Sequence, residues 1–348
     1  MVGADPRRED GQLTDRQAAA ARFAIPNHVH YVWYGTTFPL LNRIAVESAL
    51  SVCRPERATL WHSDPLDGQP QFELLKRWPA FEARPLSSAS LFPEELAGRL
   101  DCARLRRIYD GVSSPVSRSN LARAGVLYHH GGIYLDMDTL VLRDMVDLRR
   151  FPGFLGTERI VWPGERKVRV DAYRLCVGPL LDALRKLGSL VPGGERIHLR
   201  TAHLYHREVN GAIMGFRADH PFLASLLNMT AGVPEGEWRV PHHLGTFLLQ
   251  RAVKLYAGSD LELLDPECFY PLGPVASAHY FRRQRDLGGM TRRVISERTY
   301  AVHWYASVTE LDGFAAEDIQ RRAGETLFAR LCAPYATGPA STRGGGTM

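Results

Sequence analysis

The stretch Gly131-Gly132-Ile133-Tyr134-Leu135-Asp136-Met137-Asp138 decides how this chain is read. Ile133-Tyr134-Leu135 fits a short buried strand, and two carboxylates close it. Side chains two apart on a strand share a face, so Asp136 and Asp138 are expected to converge. Two ionised carboxylates a few Å apart repel, and burial raises the cost. A divalent cation removes that cost, and hard oxygen ligands favour Mn²⁺ or Mg²⁺. Such an ion can bridge a diphosphate and stabilise the charge it takes on as it leaves. Taken without its surroundings, Asp-x-Asp is equally a solvated turn.

The surroundings are those of an α/β chain. Upstream, Leu121, Ala124, Leu127 and Tyr128 fall on one helical face. Ser117 is the expected N-cap of that helix and Gly131 its stop. Downstream, Leu140-Val141-Leu142 reads as a second short strand. Nearer the N-terminus, His28–Trp33 reads as a strand, 41–52 as a helix and Ala58–Trp61 as a strand, a βαβ beginning. Residues 70–110 read as amphipathic helix broken at Pro79, Pro85 and Pro93. Further on, 212–216 and 301–304 read as strands, and 221–229 and 245–256 as helices.

Bulk composition narrows the class. The chain has 348 residues, 45% hydrophobic and 23% charged, enough for a core without staples. The net charge is +5, and only four of 43 basic residues are lysine. These charges are scattered rather than striped, so no nucleic-acid partner is expected. Five separated cysteines without a Cys-x-x-Cys pair suit a reducing compartment. No secretory leader or 18-residue apolar span is read, so a cytoplasmic, bacterial-type enzyme without membrane anchor is expected. Residues 1–22 are expected to be mobile, 23–335 to form one domain with helical insertions, and 336–348 to be a disordered tail.

Ser119-Asn120-Leu121-Ala122-Arg123, the helix and Gly131–Asp138 together resemble the pattern S-D-x-x-R, helix, G-G-x-Y-x-D-x-D. That pattern is similar to the DXD sugar-binding glycosyltransferases of family 32 type, including Och1-like mannosyltransferases and lactosylceramide α-1,4-galactosyltransferase. The clostridial glucosylating toxins share it more distantly. Four further stretches agree in order. Ile25 to Gly35 resembles I-P-x-x-I-H-x-x-W-x-G, and Asn210 to Leu223 resembles an N-x-x-hydrophobic then H-P stretch. Cys268-Phe269-Tyr270-Pro271 resembles F-Y-P, and Ala301 to Ser307 resembles A-x-H-x-x-x-S-W.

The resemblance implies a GT-A, Rossmann-like fold. It also implies a nucleotide-sugar donor, UDP-sugar first and GDP-sugar second, with Mn²⁺ or Mg²⁺ and retention of configuration. Carried over by residue, Asp138 is the expected metal ligand, and Asp136 would contact ribose, sugar or metal-bound water. Arg123 would face donor sugar or phosphates with its fixed fork. Trp33 would lie against the base, a contact worth about 1–3 kcal/mol. Ser119, Asn120 and Asn210 belong to the expected donor site, and His303 and Ser307 would close the metal end. Acceptors implied are a glycan, a natural product or a protein, through a hydroxyl or amine.

Two positions depart from the family. Asn120 stands where the family has Asp, losing a charge and gaining a donor. Val308 stands where the family has Trp after Ser. Both leave room for a degenerate, sugar-nucleotide-binding protein without turnover. A haloacid-dehalogenase-type phosphatase also uses Asp-x-Asp after a strand, but Leu140 stands where it needs Thr or Val. Among other candidates, Glu208 and Asp219 are placed near the acceptor side. His129 and His130 are read as charges stabilising a helix C-terminus, and His28 and His30 are not read as a zinc site.

Overall fold

The computed structural model of the chain describes residues 23–162, 172–191, 193–238, 240, 243–306 and 314–338. Residues 1–22 and 339–348, where a mobile segment and a tail were expected, lie outside them, as do Ser307 and Val308.

The opening is βαβ as read. Strand β1 (His28–Trp33) is parallel to β2 (Arg57–His62), with helix α1 (Leu40–Val52) between them. Val29 and Tyr31 pack with Val46, Ala49 and Leu50 of α1, while Val32 faces the opposite core. Both faces of β1 are covered, which is why it reads as an almost unbroken apolar run.

Residues 70–110 differ from the helical expectation. A short helix, α2 (Pro70–Leu75), is followed by a strand, β3 (Phe81–Pro85), before helix α3 (Cys102–Gly111). β3 is the edge strand beside β2 and is only half-buried. Its charged Glu82 and Arg84 and its terminal Pro85 suit an edge and hide the strand pattern.

Helix α4 (Pro115–His130) starts earlier than expected. Ser114, not Ser117, is the N-cap, its side chain accepting from the Ser117 N–H, with Pro115 at the first helical position. The expected apolar face is buried, and so is every residue from Leu121 to Tyr128. Gly131 ends the helix with φ 63°, and Gly132 opens β4 (Gly132–Leu135) with φ 104°. A Cβ on Gly132 would collide with the His28 carbonyl, and one on Gly131 would sit 2.7 Å from the Ala218 nitrogen. The Gly-Gly pair is therefore a steric requirement of the helix-to-strand corner.

The remaining strands are β5 (Thr139–Val141), β6 (Gly153–Ile160), β7 (His206–Phe216), β8 (Glu262–Leu264) and β9 (Ala301–His303). The main sheet runs β3-β2-β1-β4-β7-β6-β8, and β5 pairs with β9 apart from it. Every strand of the main sheet runs one way except β7, which is antiparallel to β4 and β6. This is an α/β, mostly parallel and Rossmann-like sheet, as the resemblance implied. β7 is longer than the expected 212–216, and β6 and β8 were not anticipated. The expected helix at 245–256 begins with an irregular turn at His243–Phe247, and regular helix spans Leu248–Leu255.

Arg43 fastens the fold across its length. It is buried, donates to Glu47 at 2.6 Å and Gln71 at 2.7 Å, and its Nη2 reaches the carbonyls of Tyr335 and Ala336. Ala336 is itself buried, so the packed chain passes the expected boundary at residue 335.

Candidate active site

β1 and β4 are parallel neighbours, with His30 paired to Tyr134. The chain runs from β1 outward to β2 and β3, then returns to β4 on the other side of β1. The carboxyl ends of β1 and β4 thus form a topological switch point, where ligands of such sheets bind. Trp33 ends β1 there, and Asp136-Met137-Asp138 leaves β4 there.

Asp136 and Asp138 do converge, by a turn rather than by strand alternation. The Thr139 N–H donates to the Asp136 carbonyl at 3.1 Å, closing a tight turn immediately after β4. Oxygens of both carboxylates and a His303 ring nitrogen lie within 4.8 Å of one another. This is the sole such group of three or more His, Cys, Asp or Glu among the described residues.

Asp136 is held from the α4 side. Tyr134 Oη donates to its Oδ1 at 2.6 Å, and Arg123 Nη2 lies 3.0 Å from the same oxygen. Ser119 completes the row, 3.2 Å from both the Tyr134 hydroxyl and Arg123 Nη2. Arg123 also donates to the carbonyls of Ser119 and Gly211, and its guanidinium lies 4.7 Å from the Tyr134 ring centre. Its Nε, Nη1 and Nη2 each donate one hydrogen bond, besides the Asp136 ion pair. Arg123 is 8% exposed. Burial pushes the Asp136 carboxyl up, and the Arg123 charge opposes that shift.

Asp138 is wrapped by the chain around β9. His303 Nε2 lies 2.8 Å from Oδ1, the Ala306 N–H donates to Oδ2 at 2.9 Å, and the Trp304 N–H donates to its backbone carbonyl. Burial works against both charges, yet their mutual attraction wins: Asp138 is held low and His303 is held high. His303 Nδ1 is buried without a hydrogen-bond partner. Two carboxylates and an imidazole suit a borderline divalent ion such as Mn²⁺.

The other expected residues fall as follows. Trp33 is partly exposed, donates to the Thr37 carbonyl at 2.9 Å and meets the Phe38 ring edge-on. Asn120 lines a small cavity of about 40 Å³ with Arg123, Gly211, Gly245, Thr246 and Leu249. Its amide occupies the place a Gly245 Cβ would take. Asn210 lies on β7, with Oδ1 accepting from the Ala212 N–H at 2.7 Å. Ser307 lies outside the described residues.

Asp219 follows the end of β7, and β7 is antiparallel to β4, so it sits beside Gly131, at the opposite end of β4 from Asp136. There it pairs with Arg99 at 2.6 Å. One expectation is corrected. His130 is not a helix-terminal charge, because burial pushes its pKa down to about 4, and it stacks on Trp61 instead.

Sequence reasoning gave no role to Tyr134, Glu158 or Tyr305. Tyr134 was findable: it precedes Asp136 by two and so shares its face. Glu158 and Tyr305 are joined by a bond between residues 147 apart, which no local pattern signals.

Residues 86–155 match the family model described as "Glycosyltransferase sugar-binding region containing DXD motif". No curated protein matches the chain in sequence. Among solved structures the chain is similar to the PaToxG glycosyltransferase, at 13% identity, covering 71% of this chain and 77% of that one, TM-score 0.41. It is also similar to mouse xyloside xylosyltransferase 1, at 13% identity, covering 81% and 98%, TM-score 0.45. A third is the galactosyltransferase LgtC with donor and acceptor sugar analogues, at 11% identity, covering 91% and 99%, TM-score 0.38. Asp136-Met137-Asp138 falls inside the matched segment, so the motif at the switch-point edge of the sheet is similar to a DXD-type sugar-binding region.

Proposed function

We propose that the chain is a metal-dependent, retaining transferase that moves a sugar from a nucleotide-sugar, UDP-sugar first, to a hydroxyl or amine acceptor. The observation that carries this reading is the grouping of Asp136, Asp138 and His303 at the switch-point edge of the sheet. Mn²⁺ or Mg²⁺ held by Asp138, His303 and Asp136, with Ser307 as a further ligand, would offset the charge of the departing diphosphate. Trp33 offers a ring for the base at the end of β1, and Ser119, Asn120 and Asn210 offer polar contacts to the donor. Arg123 holds Asp136 in place, and its charge opposes the upward push of burial on that carboxyl. The UDP assignment rests on the resemblance of the motifs, and a cytoplasmic setting on the five separated cysteines.

No residue of the site declares itself as the nucleophile of a double displacement. The resemblance points instead to attack on the face the diphosphate leaves, which would retain configuration. The acceptor O–H or N–H forms its bond to the anomeric carbon as the carbon–oxygen bond to the diphosphate breaks, and its proton passes to the departing phosphate oxygen.

The test is donor hydrolysis and thermal shift with a panel of UDP- and GDP-sugars, with and without Mn²⁺. A donor at 100 times its Kd raises stability by about 2.7 kcal/mol. Mn²⁺-dependent turnover lost in Asp138→Asn supports the reading. A shift without turnover would favour the degenerate binding protein, and no shift with any donor would overturn donor binding itself.

A further inference from the structure

We propose that Glu158 and Tyr305 form a clasp that sets the chain around Asp138, making Glu158 a positioning residue for the metal end of the donor site. The inference rests on the transferase reading above and adds residues that no motif assigned.

The chain from His303 to Ala306 grips Asp138 at three points: the His303 ring, the Trp304 N–H and the Ala306 N–H. To bring both N–H groups to one residue, the chain must turn sharply at Tyr305. Tyr305 has φ 56°, one of three non-glycine residues with positive φ among those described. A bulky aromatic in this region is disfavoured and persists only where its surroundings fix it.

Glu158 supplies that fixing. Tyr305 Oη donates to Glu158 Oε2 at 2.7 Å, and the Tyr305 ring meets His303 edge-on, centres 4.2 Å apart. Glu158 lies on β6 and is 8% exposed, so it cannot rely on water. β6 in turn pairs with β7, the strand that carries the expected donor residue Asn210. The clasp therefore runs from the main sheet through Glu158 to Tyr305, and so ties β6 to the loop that wraps Asp138. Groups that orient metal ligands without touching the metal typically change metal affinity 10- to 100-fold when lost.

The experiment uses the full-length chain and three variants: Glu158→Leu, Glu158→Gln and Tyr305→Phe. Mn²⁺ alone is titrated by calorimetry, and amide hydrogen exchange is followed at residues 303–306. Leu and Phe break the clasp, and each is expected to weaken Mn²⁺ binding about 10-fold or more and to speed exchange at Ala306. Gln still offers an oxygen to the Tyr305 hydroxyl, so its Mn²⁺ affinity and exchange are expected to stay near wild type. Wild-type exchange at Ala306 in both folded clasp-breaking variants overturns the clasp. Faster exchange with unchanged Mn²⁺ affinity overturns the link to the metal end. If wild type and Asp138→Asn bind Mn²⁺ alike, the metal reading has failed instead, and the exchange data still decide the clasp.

Discussion

Arg123 and Asp136 are bound to one another at 3.0 Å within a largely buried row that includes Tyr134 and Ser119. The carboxylate is thus oriented by the protein before a donor arrives. Removing one partner of a buried pair strands the other charge, which costs about 3–5 kcal/mol. Arg123→Ala should therefore lower the urea midpoint as well as donor turnover. Arg123→Lys keeps the charge but loses the fork and should recover stability more than turnover. Equal recovery of both would show that the fork has no role of its own.

Gly132 tests the corner that aims β4 at the site. Its φ of 104° and the His28 carbonyl in the path of a Cβ leave no room for a side chain. Gly132→Ala should destabilise the fold by about 1–3 kcal/mol, read from chemical unfolding. A stability equal to wild type would mean that the corner relaxes freely.

Gly245 tests the cavity. Its φ of −131° and ψ of −117° belong to no helix, and the Asn120 amide fills the space beside it. Gly245→Ala should push Asn120 toward Arg123 and raise the donor KM about 10-fold, an effect of about 1.4 kcal/mol. An unchanged KM would remove Asn120 and the cavity from the donor site.

Stability should depend on pH through histidines remote from the site. Burial pushes His28 and His130 down to about 4 from an ordinary 6.5, and Arg57 and Arg84 push the same way against Glu82. Buried His30 is lowered too. The unfolded chain therefore takes protons first as pH falls. The stabilisation is complete above pH 6.5 and is lost between pH 6.5 and about 4. His130→Gln should lose less of its urea midpoint than wild type between pH 7.5 and 5.0. Equal losses would point to other groups.

The legible parts of the molecule were those written in local pattern. β1, α1, α4 and β4 carry periodicity, caps or a glycine stop within a dozen residues, and all four were found. β3 was missed because an edge strand with Glu82 and Arg84 imitates an amphipathic helix. β6 was missed because Gly153 and Gly156 interrupt its apolar run, and β8 is only three residues long. In the site, Asp136 and Asp138 announced themselves by spacing. Their partners did not: Ser119 and Arg123 come from the preceding helix, and His303 from a strand late in the chain. Only the resemblance brought those together in advance; it matched Tyr134 without giving it a role and was silent on Glu158.

The bond from Arg43 to the carbonyls of Tyr335 and Ala336 spans some 290 residues. During synthesis, α1 emerges long before its last partners exist. Its buried guanidinium must wait, half-satisfied, while the sheet assembles around it. The same order applies to Asp138, whose partner His303 is also translated late. Both the Arg43 fastening and the grip on Asp138 therefore wait for residues beyond 300. Contacts of such long range are slow to form, so a nascent chain halted between residues 264 and 303 should hold a formed main sheet and an ungripped Asp138.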